Sequence, residues 1–249
     1  MSKFKRVAIV SAAVAAFAFE LVEATAQVAE PMTLQLEAKI PLGEVAGRID
    51  HMAVDLARRR LFVAELGNNT VGIVDLDAHK VVHVIDGLTE PQGVAYVASN
   101  DTLYVANAGD GSVRRFGGKD YSEAGRLDLG NDADNIRVDA AGAEVFVGYG
   151  SGALARLDAA SGAKVSDIRL KAHPESFQLD PLGSRIFVNV PEMKEIAVVD
   201  RLTGRQTASW SMRDVGNFPM ALDREGQRVL VIFAARRPSV CFPCSTAPS

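Results

Sequence analysis

Pro91-Gln92-Gly93-Val94-Ala95-Tyr96-Val97, then Ala98-Ser99-Asn100-Asp101, then Thr102-Leu103-Tyr104-Val105-Ala106-Asn107: this stretch decides the fold. Two apolar runs, rich in β-branched and aromatic residues, flank a gap built from Ser, Asn and Asp. Runs of this length and composition read as strands, and the gap reads as a hairpin turn. Working outward, the same pair recurs. Ala53-Val54-Asp55 leads to Leu61-Phe62-Val63, and Arg137-Val138-Asp139 leads to Val145-Phe146-Val147. Gln178-Leu179-Asp180 leads to Ile186-Phe187-Val188, and Ala221-Leu222-Asp223 to Val229-Leu230-Val231. From Leu61 through Leu103, Val145 and Ile186 to Val229 the steps are 42, 42, 41 and 43 residues.

A second landmark keeps the same period: Val71 to Asp75, Val113 to Phe116, Leu154 to Asp158 and Ile196 to Asp200. Each unit therefore holds four short runs, which in the first are His51–Leu56, Arg60–Glu65, Thr70–Leu76 and Lys80–Ile85. Turn signals separate them, among them Asp110-Gly111, Ser151-Gly152, Ser161-Gly162 and Thr203-Gly204, which supply the positive-φ positions of tight hairpins. After the N-terminal segment no window longer than about ten residues keeps a helical apolar period. Four antiparallel strands in about 42 residues is the period of a β-propeller blade. The fold class is all-β, a propeller of four-stranded blades.

The motif Pro-x-Gly-Val-Ala followed by Leu-Tyr-Val-Ala-Asn, seen at Pro91–Ala95 and Leu103–Asn107, resembles the YVTN repeat. The chain is similar to exported YncE-like propellers over about residues 32–235. The resemblance implies a ring that is typically seven-bladed, with a shape shared by the heavy subunit of quinoprotein amine dehydrogenases and by propeller lactonases. It carries fold more than function, because blades host many activities.

Four complete units span about 45–88, 89–130, 131–171 and 172–213. Thr33–Leu42 reads as an isolated strand of the kind that completes a last blade. A fifth unit starts at Asp214 and offers two strands, Met220–Asp223 and Arg228–Phe233. The third is due near Ser239, where the chain instead runs through Pro238 and Pro243 without alternation. The expectation is an incomplete propeller with an aberrant tail over 236–249, and a reading frame broken near Phe233 accounts for it better than a native stop. Open strand edges predict self-association. Cys241 and Cys244 fall in that tail, so their Cys-x-x-Cys spacing reads as incidental.

Residues 1–26 read as a secretory signal. Lys3, Lys5 and Arg6 precede an apolar run from Val7 to Phe19, and Ala24-Thr25-Ala26 offers a cleavage site. The run is too short to span a bilayer comfortably, and Glu20 and Glu23 close it. The mature chain is expected to be periplasmic or secreted, with no membrane association. Of 249 residues, 48% are hydrophobic and 23% charged, which argues against disorder and against multiple membrane spans. The net charge of −4 becomes −5 after cleavage, because three basic and two acidic residues leave. With only 6% aromatics, that charge argues against nucleic-acid partners, the single-stranded DNA known for YncE-like proteins included.

Residues just before each innermost strand converge at one mouth of a propeller's channel. Register places Asp50, Gln92, Asp134 and Glu175 there, with His51 and Asn135 one position on and Arg48, His173 and Asn217 nearby. This polar set is the expected binding surface for a small ligand or protein partner. Since adjacent strand residues face opposite ways, Asp50 and His51 are not expected to share the channel. Asp50, Asp134 and Glu175 with His51 or His173 have ligand types suited to a divalent ion. That supports the alternative of a metal-assisted enzyme, lactonase-like or a quinoprotein dehydrogenase-type subunit. No nucleophile elbow, phosphate loop or His-Glu-x-x-His is present, so no catalytic residue or cofactor is assigned. Arg58-Arg59-Arg60 reads as a solvated turn, Trp210 as outer-strand packing, and His79 and His83 as surface.

Overall fold

The computed structural model describes residues 34–233 and the backbone of 240–243. The signal segment and most of the tail lie outside the described residues. The chain divides into two compact units at Glu37, and all the strands belong to the unit that begins at Ala38.

The first sheet comprises β1 (Ile49–Asp55), β2 (Arg60–Glu65), β3 (Thr70–Asp75) and β4 (Lys80–Ile85), paired antiparallel in chain order. The second holds β5 (Pro91–Val97), β6 (Thr102–Asn107), β7 (Ser112–Gly117) and β8 (Ser122–Asp128). The third holds β9 (Ala133–Val138), β10 (Glu144–Tyr149), β11 (Ala153–Asp158) and β12 (Lys164–Arg169). The fourth holds β13 (Phe177–Leu179), β14 (Arg185–Val190), β15 (Glu195–Asp200) and β16 (Arg205–Ser211). The fifth has three strands among the described residues: β17 (Asn217–Asp223), β18 (Arg228–Phe233) and β19 (Val240–Pro243). These meanders are the blades of a β-propeller, as the 42-residue period requires.

Two expectations are corrected. Val240–Pro243 is a third strand, pairing antiparallel with β18 from Val231↔Val240 to Arg228↔Pro243. Pro243 is tolerated because this strand lies at the edge of its sheet among the described residues. Leu34–Leu42 is not a strand. A strand exists through its ladder, and this segment pairs with none of the five sheets.

The core lies between blades rather than within one. Phe62, Ala64, Val71 and Ile73 of the first sheet pack on Val94, Leu103, Val105 and Phe116 of the second. Tyr104, Ala106 and Val113 turn the other way, onto Ile136, Val145, Val147 and Leu157 of the third. Phe146, Leu154 and Ile168 meet Phe177, Ile186 and Val188. Phe187, Ile196, Val198 and Trp210 meet Met220, Val229, Val231 and Phe233. Leu103-Tyr104-Val105-Ala106 is continuously apolar because both faces of a middle strand are buried.

Aspartates fix the hairpins. Asp55 Oδ1 accepts from Ala57 N at 3.0 Å and Arg58 N at 3.2 Å. Asp75, Asp158, Asp200 and Asp223 anchor later turns in the same way. The Arg58–Arg60 run is ion-paired rather than merely solvated. Arg58 reaches the next blade at Asp101 and at Tyr96 Oη, 2.6 Å away, Arg59 meets Asp77, and Arg60 meets Asp75. His83 is half-buried, its ring 5.2 Å from that of Tyr121, so it is not a free surface residue.

Candidate functional site

The innermost strands β1, β5, β9, β13 and β17 start at one end of the blades, and a cavity of about 710 Å³ opens there. Of the nine candidate residues, eight line it: Arg48, Asp50, His51, Gln92, Asp134, Asn135, His173 and Glu175. Asn217 does not. It is fully buried, and its Nδ2 donates to Asn189 Oδ1 at 3.2 Å and to Glu195 O at 3.3 Å, bracing the fifth blade on the fourth.

Contrary to the alternation argument, Asp50 and His51 both face the cavity, as do Asp134 and Asn135. The cause is a β-bulge. Between Ile49↔Glu65 and Met52↔Val63 the inner strand holds one residue too many, and it sits at Asp50-His51. The same shift falls at Gln92-Gly93, Asp134-Asn135 and Phe218-Pro219. In the fourth blade Asn189 N donates to Ser176 O while Asn189 O accepts from Glu175 N, each at 3.0 Å, so one residue faces two. A bulge breaks the period of two and re-aims side chains, so each blade can send two consecutive residues to the mouth.

Arg48 and His51 flank Asp50. The guanidinium is 2.8 Å from Asp50 Oδ2, and His51 Nδ1 is 2.9 Å from Oδ1 but off the hydrogen-bond direction. Burial raises the Asp50 carboxyl, but His51 and Arg48 together outweigh it, and the group sits below its usual range. Asp134 behaves in the opposite way. Burial lifts its carboxyl above the usual range and the charge of Asp50 adds to this, while His51, Asn135 and His173 only partly offset the rise. Glu175 is raised too, by burial and then by Asp134, against the pull of His173. His173 Nδ1 lies 2.6 Å from Gly150 O. A carbonyl only accepts, so that nitrogen carries the proton.

Six further residues complete the lining: Asp132, Arg137, Ser176, Phe218, Pro219 and Met220. Arg137 matters most. Its Nη1 donates to Ile136 O at 2.7 Å, Nη2 lies 3.5 Å from Ser176 Oγ, and the guanidinium stands 5.7 Å from the centre of the Phe177 ring. Burial lowers its affinity for its proton and the charge of Asp134 works against that. The signal for Arg137 was in the repeat, because the matching positions are Ala53, Ala95, Gln178 and Ala221.

The proposed metal set is not assembled. Among the described residues no three His, Cys, Asp or Glu side chains form a group that could hold a metal ion. Asp50, Asp134 and Glu175 come from three different blades around a wide mouth, and Asp50 is already held by Arg48.

No protein-family model matches the chain, and neither does any curated protein. Chains of known structure do match, 1581 of them, so the architecture is widespread and does not by itself specify a function. One is the hydrazine synthase of Kuenenia stuttgartiensis, at 18% identity and a TM-score of 0.67. The match covers 79% of this chain and 58% of that one. At that identity the likeness concerns the fold alone.

Proposed function

We propose that this chain is an exported propeller of the YVTN-repeat, YncE-like kind that acts as a binding or scaffolding module, taking a small ligand or a protein partner at the channel mouth. One observation carries the reading. Five blades converge on a cavity of about 710 Å³ lined by polar and charged side chains, in a repeat whose neighbouring positions are apolar. That volume lies within the roughly 300–1,000 Å³ usual for small-molecule sites. Three polar atoms of its lining, on His51, Asp134 and Asn135, are buried with no hydrogen-bond partner among the described residues.

Export is part of the proposal and rests on the N-terminal pattern. Expression in a Gram-negative host followed by N-terminal sequencing of the periplasmic fraction tests it, with Gln27 expected as the first residue. Binding is tested by calorimetry with small polar compounds and by capture of periplasmic partners, comparing the native chain with Arg137→Ala. A native chain that binds and a variant that does not support the reading. Equal behaviour of the two places any binding elsewhere.

A further inference from the structure

Two acceptors in the cavity wall have nothing to accept from. Asp134 Oδ1 and Asn135 Oδ1 are buried and, among the described residues, without a hydrogen-bond partner. The residues themselves are 6% and 2% exposed, and both line the cavity. Buried polar groups are rarely left in this state, and each one calls for an explanation. His51 Nδ1, itself without a hydrogen-bond partner among the described residues, lies against Asp50, and other donors of the lining are engaged elsewhere. Asn135 Nδ2 donates to Asp134 Oδ2 at 3.3 Å. Arg137 Nη1 and His173 Nδ1 donate to backbone carbonyls, and Arg48 is held on Asp50. The missing donors therefore come from whatever fills the cavity.

The charge of the lining narrows the choice. Asp50, Asp132, Asp134 and Glu175 stand against Arg48 and Arg137. An occupant that carries positive charge and N–H donors meets both deficits. A bare metal ion meets neither well, because no triad of ligating side chains converges among the described residues. A neutral polyol would supply donors but leave the excess of carboxylates uncompensated.

We infer that Asp134 and Asn135 form the recognition point for a small organic cation bearing N–H donors, a primary ammonium or a guanidinium. The inference deepens the proposed function and rests on it. Asp134 supplies the charge and one acceptor, Asn135 the second acceptor, and Glu175 on the next blade adds to the field. The raised carboxyls of Asp134 and Glu175 agree with this, since burial lifts both and the neighbouring histidines only partly offset it.

Calorimetry on the whole chain at low ionic strength tests it with four probes: ethane-1,2-diammonium, guanidinium at low millimolar concentration, tetramethylammonium and glucose. The first two are expected to bind one per chain. Tetramethylammonium has the charge but no donor, and is expected to bind at least tenfold more weakly. Asp134→Asn should weaken the two donors at least tenfold, and Glu175→Gln should weaken them less. Circular dichroism on both variants separates lost binding from lost fold. Equal binding of tetramethylammonium, or full binding by Asp134→Asn, overturns the inference. Binding of glucose alone, lost in Asp134→Asn, overturns the cation but keeps the cavity as the binding site. If no probe binds, water satisfies the two acceptors and the inference is wrong. If periplasmic capture also fails, the proposed function falls with it.

Discussion

Asp134 shows what a binding position costs the fold. Its carboxyl is raised in the folded chain, mainly by burial. A carboxyl whose folded pKa lies above its unfolded value favours folding only while protonated, and that contribution is lost as pH rises through the folded pKa. At neutral pH the ionised group is therefore a burden, so Asp134→Asn is expected to raise Tm at pH 7.5 by a few degrees. The advantage should shrink as pH falls toward 3.8, the ordinary value of the group. Thermal melts of both chains across that range check it, and a Tm that falls at neutral pH would contradict it. At this scale the sequence was informative wherever counting back from the repeat aspartate reached a polar residue. It placed Asp50, Gln92, Asp134 and Glu175 at the mouth. Asn217 stands only beside that register position, which in the fifth unit is Phe218, and it serves a buried network with Asn189 and Glu195. A polar side chain before an inner strand can satisfy a neighbour's backbone as readily as a ligand, and position alone does not separate the two. Arg137 escapes the register count for the opposite reason. It lies inside the strand, at a register point where three of the five units carry alanine, and it stood out only by comparison across units.

At the scale of the element, strands and hairpins were legible because period-two runs and turn aspartates are local. The expected Arg60–Glu65 and Lys80–Ile85 coincide with β2 and β4. What local reading could not supply was the bulge, an extra residue visible only against its partner strand. It decides which side chains reach the cavity. Gly93 sits in one of these bulges, and a Cβ there would lie 1.9 Å from Asp134 O on the adjacent blade. Gly93→Ala therefore has to push two backbones apart. It is expected to destabilise the chain by about 1–3 kcal/mol and to weaken ligand binding through Asp134. Urea unfolding measures the first and calorimetry the second, and a neutral variant would show that the blades separate freely. The turn aspartates carry a separate prediction. Asp75 is lowered chiefly by the Ala78 N–H, Asp158 by Ser161, Asp200 by Ser184 and Asp223 by the Gly226 N–H. A lowered folded pKa means stability that is present above the unfolded value of 3.8 and lost as pH falls through the folded one. The Tm should thus be insensitive to these groups above about pH 5 and drop below about pH 4. Asp55→Ala, which strips two turn N–H groups and the Arg58 side chain of their acceptor, is expected to cost about 1–3 kcal/mol.

On the scale of the molecule, stability is a chain of nearest-neighbour interfaces, four apolar clusters each shared by two consecutive sheets. The 42-residue period made that arrangement legible, since a unit that cannot bury both faces alone must stack on its neighbours. The same logic identifies two sheet faces that no other blade covers among the described residues. Alternation sends Ala53 onto the second blade, whereas Met52 and Val54 turn away with Val82 and Val84, all between 41% and 59% exposed. On the fifth blade Val229 and Val231 pack inward while Leu230 and Ile232 are 40% and 53% exposed. Each face is a β-sheet with the apolar pattern by which successive blades join, so the first-blade face of one copy fits the fifth-blade face of another. Such a contact is head-to-tail, giving a ring where the rotation closes and an open chain where it does not. We therefore expect concentration-dependent association, read as a rising weight-average mass in light scattering between micromolar and hundred-micromolar chain. The pair Val82→Lys and Val84→Lys places charge on an exposed strand without touching an interface cluster. It is expected to hold the chain monomeric while leaving Tm within about 2 °C, because surface changes of this kind rarely move stability by more than about 0.5 kcal/mol. A mass that stays monomeric in the native chain would sink the idea. A mass that rises equally in both chains would place the contact on the fifth-blade face alone, where Ile232→Lys is the matching test.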